Sequence, residues 1–211
     1  EHIDPKKIGN ERVLVVSNQS GKSNIINKLK KLKINVQNKE KKVIKFLEKI
    51  KEQEFLGYAY DGAEASFELL AKRVFQRFKE FYNLENFKVS DEKRKNTKNE
   101  FVPFSEARVK IFVGKKSFYS AAEGNGPIHA LDMALRNALI KFYPRIKKLN
   151  LVDYKVRILT PQDGTKALVR VRIESKNDQL KWSTIGVSHN VIDASYIALN
   201  DSITYHLLKS K

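Results

Sequence analysis

Residues 124–139 read GNGPIHALDMALRNAL, a glycine-flanked turn that runs directly into an amphipathic segment. Proline is favoured at the first position of a helix, because its missing N–H would have no intrahelical partner there in any case. The pattern therefore predicts a helix over residues 127–143. Small side chains at Ala130, Ala134 and Ala138 should let this helix lie close to the surface that it covers.

The order of elements around this helix occurs twice. Sliding the sequence by 64 residues places Ala130 on Ala194 and Gly126 on Asn190. Alternating segments precede each helix: ARVKIFVG and SFYSAAEG before the first, ALVRVRIES and KWSTIGVS before the second, which is predicted over residues 190–208. FKVS and LVDYKVRIL supply a further strand to the first and second copy. We therefore predict an α+β fold with a βββα unit repeated about a pseudo-twofold axis, each helix covering one face of an antiparallel sheet.

The N-terminal part follows a different pattern. Residues 11–17, ERVLVVS, are typical of a short buried strand. Apolar residues at helical spacing predict three helices, over residues 25–31, 39–54 and 63–82. The segment 91–100, DEKRKNTKNE, contains no apolar residue and is predicted to be a mobile loop. The chain thus divides into a helical part, residues 1–85, and a strand-rich domain, residues 86–211.

Composition excludes several classes of protein. The chain has no cysteine, so it has neither disulfides nor a zinc–thiolate site, which suits the cytoplasm. No apolar run approaches the roughly 20 residues that cross a bilayer. The charged N-terminus, EHIDPKKIGNERVLVV, is typical of a piece of a longer protein. The net charge of +17 could indicate a nucleic-acid partner, but lysine runs with interspersed glutamate fit solvated helix faces better.

The sequence SNQSGKS resembles the end of a nucleotide-binding loop. Such a loop needs a glycine five positions before the GK glycine, and Val16 stands there. We interpret the segment instead as a helix start capped by Ser23 or Asn24.

Catalytic patterns are also missing. No serine lies in a GxSxG segment, and the four histidines, His2, His129, His189 and His206, are scattered without metal-ligand spacing. Asp61 and Glu64 lie near a helix start, where carboxylates favour the helix dipole. We predict no catalytic residue, no metal site and no cofactor in this chain.

Three interpretations of the glycine turn remain. A double-stranded-RNA-binding module would carry lysines at the helix start, whereas Ile128, His129 and Asp132 stand here. A small carboxylate could bind the exposed N–H groups of the first helical turn. Alternatively, the turn serves tight packing alone.

Several segments resemble the C-terminal linker and regulatory (LeuA-type) domain of the 2-isopropylmalate and (R)-citramalate synthases. They are GNGPIHALDMALRNAL, LVDYKVRIL, GTKALVRVRIES and STIGVSHNVIDASYIALNDSITYHL, with EHIDPKKIGNERVLVVSNQSGKSNI and GYAYDGAEASFELL upstream. EHIDP, GN-x-R and GAEASFELL favour the citramalate-synthase branch. The resemblance implies linker subdomains over residues 1–85 and a regulatory domain over 86–211.

The family condenses acetyl-CoA with a 2-oxo acid on a metal-dependent TIM barrel that this chain does not contain. The resemblance therefore implies that this chain is inactive alone, and that the divalent metal and acetyl-CoA belong to the barrel. It also implies a homodimer that binds isoleucine or leucine as feedback inhibitor near the dimer interface. Effector binding would act through the linker subdomains, with the loop over 91–100 as a candidate joint.

The resemblance also assigns an effector site, made of helix-end amides for the carboxylate and branched side chains for the aliphatic tail. Its predicted members are Gly124, Asn125, Gly126, Pro127, Ile128, His129, Leu151, Tyr154, Ile158, Ala167, Val169, Ser188 and Asn190. Some leucine-sensing relatives have small residues where this chain has His129 and Ile158, which favours isoleucine over leucine. A purely structural dimerisation domain and an RNA-binding module are the alternatives.

Overall fold

The computed structural model describes residues 22–210, so the strand predicted over 11–17 lies outside the described residues. Three helices come first: α1 (Lys22–Lys31), α2 (Glu40–Phe55) and α3 (Glu64–Phe75). The first repeat contains β1 (Asn83–Lys95), β2 (Phe101–Val113), β3 (Lys116–Gly124) and α4 (Pro127–Leu139). The second contains β4 (Asn150–Ile158), β5 (Val169–Lys176), β6 (Lys181–Ser188) and α5 (Val191–Lys209). Short 3₁₀ helices, Pro144–Lys148 and Pro161–Lys166, precede and follow β4.

Helices α1 to α3 share an apolar core. Phe46 of α2 is fully buried and makes edge-to-face contacts with Phe67 and Phe75 of α3, with ring centroids 5.7 Å and 5.3 Å apart. Ile185 of β6 joins the same cluster, so the helices pack directly on the second sheet. Val43, Phe46 and Ile50 of α2 are buried, which confirms the apolar helical spacing that predicted this helix.

The start of α1 and the end of α3 differ from the prediction. Ser23 and Asn24 lie inside α1, which begins at Lys22, so neither caps it from outside. The third helix ends at Phe75 rather than at residue 82, because Gln76 adopts an extended conformation. The chain leaves the helix there to reach β1, which begins at Asn83.

Two three-stranded antiparallel sheets follow, in the orders β1-β2-β3 and β4-β5-β6. Helix α4 packs on the first sheet and α5 on the second, which confirms the α+β class and the twofold βββα repeat. Successive residues of β6 face opposite sides: the Thr184 hydroxyl donates to the carbonyl of Ala198 in α5, whereas the Ile185 side chain packs in the core of helices α1 to α3. The backbone amide of Ile185 also donates to the Ser66 hydroxyl in α3. The second sheet is therefore covered on both faces. Helix α4 ends at Leu139, four residues before the predicted end.

The loop predicted over residues 91–100 is wrong for its first half. Residues 91–95 belong to β1, which pairs with β2 as far as Lys95 opposite Phe101. Only residues 96–100 form the turn, where the side-chain oxygen of Asn96 accepts from the amides of Lys98 and Glu100. Exposed edge strands often carry charged side chains, which discourage pairing with another chain. The second half of β1 is such a strand, and its polar composition led to the prediction of a loop.

Within residues 22–210, no helix is long and apolar enough to cross a membrane. In the same range, no group of three or more histidine or carboxylate side chains is placed to hold a metal ion.

Candidate functional site

A cavity of about 630 Å³ lies between α4 and the start of β4. We call it the α4–β4 cavity. Its lining residues are Ile128, His129, Asp132, Met133, Arg136, Asn137, Ile140, Ile146, Lys147, Leu149, Asn150, Leu151 and Tyr154. The lining residues of α4 are adjacent pairs that recur every four positions, at 128/129, 132/133 and 136/137, so they form one face of the helix. The exposed surface of the wall is mainly apolar, which suits an apolar ligand group.

Two charged side chains of the wall, Asp132 and Arg136, form an ion pair with each other. The Arg136 guanidinium donates from Nε to both carboxylate oxygens of Asp132 at 2.8 Å. A second nitrogen of Arg136 donates to the carbonyl of Leu149, at the foot of β4. Arg136 therefore holds the helix wall and the strand wall of the cavity together.

The start of α4 lies at the edge of the cavity. Gly126 precedes the helix and has no side chain to accept from its first amides, and Pro127 has no N–H. The amides of Ile128 and His129 therefore have no side-chain cap among the described residues, and they carry the positive end of the helix dipole. The backbone amide of Asn125 donates to Nδ1 of His129 at 3.1 Å, which fixes this ring against the turn.

Tyr154 connects the cavity to the second repeat. Its hydroxyl lies 2.8 Å from Oγ of Ser195 in the first turns of α5. Ser195 has one hydroxyl proton and donates it to the carbonyl of Val191 at 2.6 Å. Tyr154 is therefore the donor to Ser195.

The predicted effector residues fall into three groups. Four line the α4–β4 cavity: Ile128, His129, Leu151 and Tyr154. Four form the turn beside it: Gly124, Asn125, Gly126 and Pro127. The other five lie near the far ends of β4 and β6: Ile158, Ala167, Val169, Ser188 and Asn190.

The third group forms a row across the second sheet. Ile158 pairs with Val169, which pairs with Ser188. Ile158 lies four residues along β4 from Tyr154, about 13 Å at the usual rise of a strand. Asn190 is the N-cap of α5, and its side-chain oxygen accepts from the amide of Ile192 at 2.8 Å. Within one chain the predicted residues thus lie in two separate places, and effector binding by either set stays a prediction.

The sequence interpretation missed much of the cavity wall, including Asp132, Met133 and Arg136 on α4. A signal for them was present, because they continue the i, i+4 series that starts at Ile128 and His129. The residues between α4 and β4 carry no comparable periodicity, since Ile146 and Lys147 belong to a short 3₁₀ helix.

Comparison with known proteins identifies the family of this sequence. A sequence profile described as the LeuA allosteric (dimerisation) domain matches residues 61–207, a range that contains α3, the first repeat, the cavity and all but the last two residues of α5 in the second repeat. The chain belongs to this family. The match begins before α3, so it extends into the part predicted as linker.

Curated relatives are named (R)-citramalate synthase. The protein from Geobacter sulfurreducens is 48% identical over 211 residues, covering 100% of this chain and 39% of that protein. The protein from Aquifex aeolicus is 47% identical with the same coverage. A 2-isopropylmalate synthase from Shewanella frigidimarina is 32% identical over 93 residues, covering 44% of this chain and 16% of that protein. The chain spans about two fifths of the length of the citramalate synthases, and the predicted resemblance to their branch is confirmed.

Proposed function

We propose that this chain is the regulatory and dimerisation part of an acyltransferase that condenses acetyl-CoA with a 2-oxo acid. Pyruvate, giving (R)-citramalate, is favoured over 2-oxoisovalerate, giving 2-isopropylmalate. The names of the relatives that cover the whole chain support this choice. The chemistry, with its divalent metal and acetyl-CoA, belongs to a part of the protein outside this sequence.

The effector in this proposal is a branched-chain amino acid, with isoleucine favoured and leucine second, bound in the α4–β4 cavity. The observation that carries it is a cavity with a mainly apolar surface beside a helix start without a side-chain cap, in a domain of an allosteric family. The amides of Ile128 and His129 would bind the carboxylate. Both oxygens of Asp132 accept from Arg136 but keep further lone pairs, so they could also accept from the ammonium group.

A second copy of the chain fits the exposed side of β4. Val156 and Ile158 project on the same side of the second sheet as the core residue Val171, yet they are 45% and 57% exposed because α5 lies over β5 and β6. A dimer partner on this side would cover both side chains, and it would lie beside the row of Ile158, Val169 and Ser188.

Calorimetric titration of the chain with isoleucine and then with leucine tests the effector proposal. We expect saturable binding of isoleucine that Tyr154→Ala abolishes. Tyr119→Ala is the matched control, because Tyr119 lies on the open face of the first sheet and is 61% exposed. Binding of leucine alone would favour isopropylmalate synthesis. Absence of binding of both amino acids would contradict the effector proposal and leave a structural dimerisation domain.

Sedimentation equilibrium tests the dimer surface separately. Ile158→Asp should shift the chain from dimer to monomer, since a buried unpaired carboxylate is unfavourable in an apolar interface. Val102→Asp, on an exposed position of the first sheet, should leave the dimer intact. A dimer that tolerates Ile158→Asp would place the interface elsewhere.

A further inference from the structure

Helix α5 is held by polar contacts on several sides. Ser195, Ser202, Thr204 and His206 are all buried, although each carries a polar side chain. Ser202 shows the pattern: its Oγ lies 2.7 Å from Oγ of Ser175 in β5 and accepts from the indole of Trp182 in β6. Because such bonds are directional, they allow α5 few positions relative to its neighbours.

One contact joins α5 to the α4–β4 cavity. The hydroxyl of Tyr154, a residue of the cavity wall, donates to Ser195. A ligand that moves the Tyr154 ring therefore either breaks this bond or moves the start of α5 with it.

Further along, α5 contacts α3 through an ion pair. The Asp201 carboxylate accepts from Arg73 at 3.1 Å, and Arg73 also binds Glu80 at 2.8 Å. The hydroxyl of Ser66, on α3, is a second donor to Asp201. Burial raises the pKa of Asp201, and the Arg73 and Ser66 contacts oppose that shift. A buried carboxylate of this kind depends on its partners staying in place.

The next turns of α5 contact α3 again. The Glu68 carboxylate of α3 is 3% exposed and accepts from Lys209 at 2.8 Å and from the Tyr205 hydroxyl at 3.2 Å. Asp201, Tyr205 and Lys209 are spaced four apart, so they form one stripe of α5 that faces α3. A shift or rotation of α5 would disturb both contacts together.

We propose that α5 couples the α4–β4 cavity to α3. When Tyr154 moves, its hydrogen bond to Ser195 displaces α5. The contacts of α5 with α3, at Asp201 and at Glu68, then displace α3. Ser195 is a positioning residue, because it does not line the cavity itself. The inference rests on the proposed effector function. Helix shifts of this kind pass between packed elements because a dense core is displaced as a unit rather than deformed.

Amide hydrogen exchange of α3, measured on the chain with and without saturating isoleucine, tests the coupling. We expect isoleucine to change exchange of the α3 amides about fivefold or more, the lower end of usual coupling between sites. Ser195→Ala should still bind isoleucine but show less than about half of that change in α3. Ser202→Ala is the matched control, because it removes a buried hydroxyl from the same helix without touching Tyr154, and it should retain the full change.

A second variant tests the contact between α5 and α3. The Asp201→Asn variant should still bind isoleucine, but isoleucine should no longer change amide exchange in α3. The neutral amide removes the ion pair with Arg73 even if α5 keeps its position. If calorimetry detects no amino acid binding, the proposed function is wrong and the coupling fails with it. If isoleucine binds but α3 does not respond, or responds equally in Ser195→Ala, the coupling alone is wrong. An equal loss in Ser195→Ala and Ser202→Ala would also refute it, because the effect would then be general loosening of α5.

Discussion

The position of α5 depends on Gly186 in β6. A Cβ added there would overlap the carbonyl oxygen of Ala194 and lie 3.0 Å from its carbonyl carbon. The obstacle is the backbone of α5, which cannot rotate away as a side chain would. The helix would have to withdraw by about 1 Å to regain the usual 3.5–4.0 Å separation between carbon atoms.

Gly186→Ala should therefore destabilise the chain. Overpacking of this kind typically costs about 1–3 kcal/mol, and the reduced entropy of the unfolded chain offsets up to about 1 kcal/mol of it. We expect a net loss of about 1–2 kcal/mol in the free energy of unfolding, equivalent to a fall in Tm of roughly 2–8 °C for a chain of this size.

Differential scanning calorimetry at neutral pH measures the effect, with Gly126→Ala as the matched control. Gly126 has a φ of 168°, an extended conformation that alanine can adopt, and an added Cβ would meet no atom of the described structure within 4 Å. Both substitutions change the unfolded chain equally, so the difference between them isolates the steric overlap. An unchanged Tm in Gly186→Ala would refute the close approach of α5 to β6.

Three further predictions concern buried side chains. Phe46→Ala should lower the free energy of unfolding by about 3–5 kcal/mol in urea titration, because a fully buried ring is lost; Ile44→Ala, an exposed position on the same helix, should change it little. Tyr82→Phe should raise it by about 1 kcal/mol, because the buried Tyr82 hydroxyl has no hydrogen-bond partner within residues 22–210; a lower value would show that the hydroxyl is satisfied. Burial, with Arg145 and Arg136 nearby, lowers the pKa of His206 below its ordinary 6.5, although a bond to the Arg145 carbonyl opposes the shift. The unfolded state then binds more protons just below pH 6.5, so stability should fall as pH drops from 6.5 towards the folded pKa, and His206→Gln should flatten that part of the curve.

The repeat could be predicted from sequence because both copies carry the same local signals. Alternating segments identified β2, β3, β5 and β6; the amphipathic segment after Pro127 identified α4, and the 64-residue repeat identified α5. The second half of β1 was missed, since the part of an edge strand that is exposed on both faces needs no apolar alternation. This polar half is fixed by pairing with β2 rather than by its own composition. The end of α3 at Phe75 was not predicted, because residues 76–82 keep apolar residues at helical spacing. The backbone of these residues instead leads from α3 to β1.

The candidate site was harder to predict, because its walls meet only in the folded chain. The turn before α4 and the motif around Tyr154 carry strong local signals, and the structure places both at one cavity. Which side of β4 that cavity uses depends on how α4 crosses the first sheet and on the Arg136 contact with Leu149. The spacing of residues along a single helix or strand predicts neither the packing of α4 on the sheet nor the contact of Arg136 with Leu149.

The two copies of the repeat differ where their helices begin, and the difference suggests separate roles. Asn190 caps α5 with its own side chain, whereas Gly126 leaves the first amides of α4 without a side-chain cap beside a cavity. Helix α5 in turn is joined to α3 by two ion pairs, Arg73–Asp201 and Glu68–Lys209, whereas α4 packs mainly on its own sheet. The first copy thus has a helix start without a side-chain cap, where the proposed effector carboxylate would bind, and the second uses its polar groups to hold neighbouring elements. A Gly126→Asn substitution, which would give α4 the cap of α5, should weaken isoleucine binding without weakening the fold, and unchanged binding would place the carboxylate elsewhere.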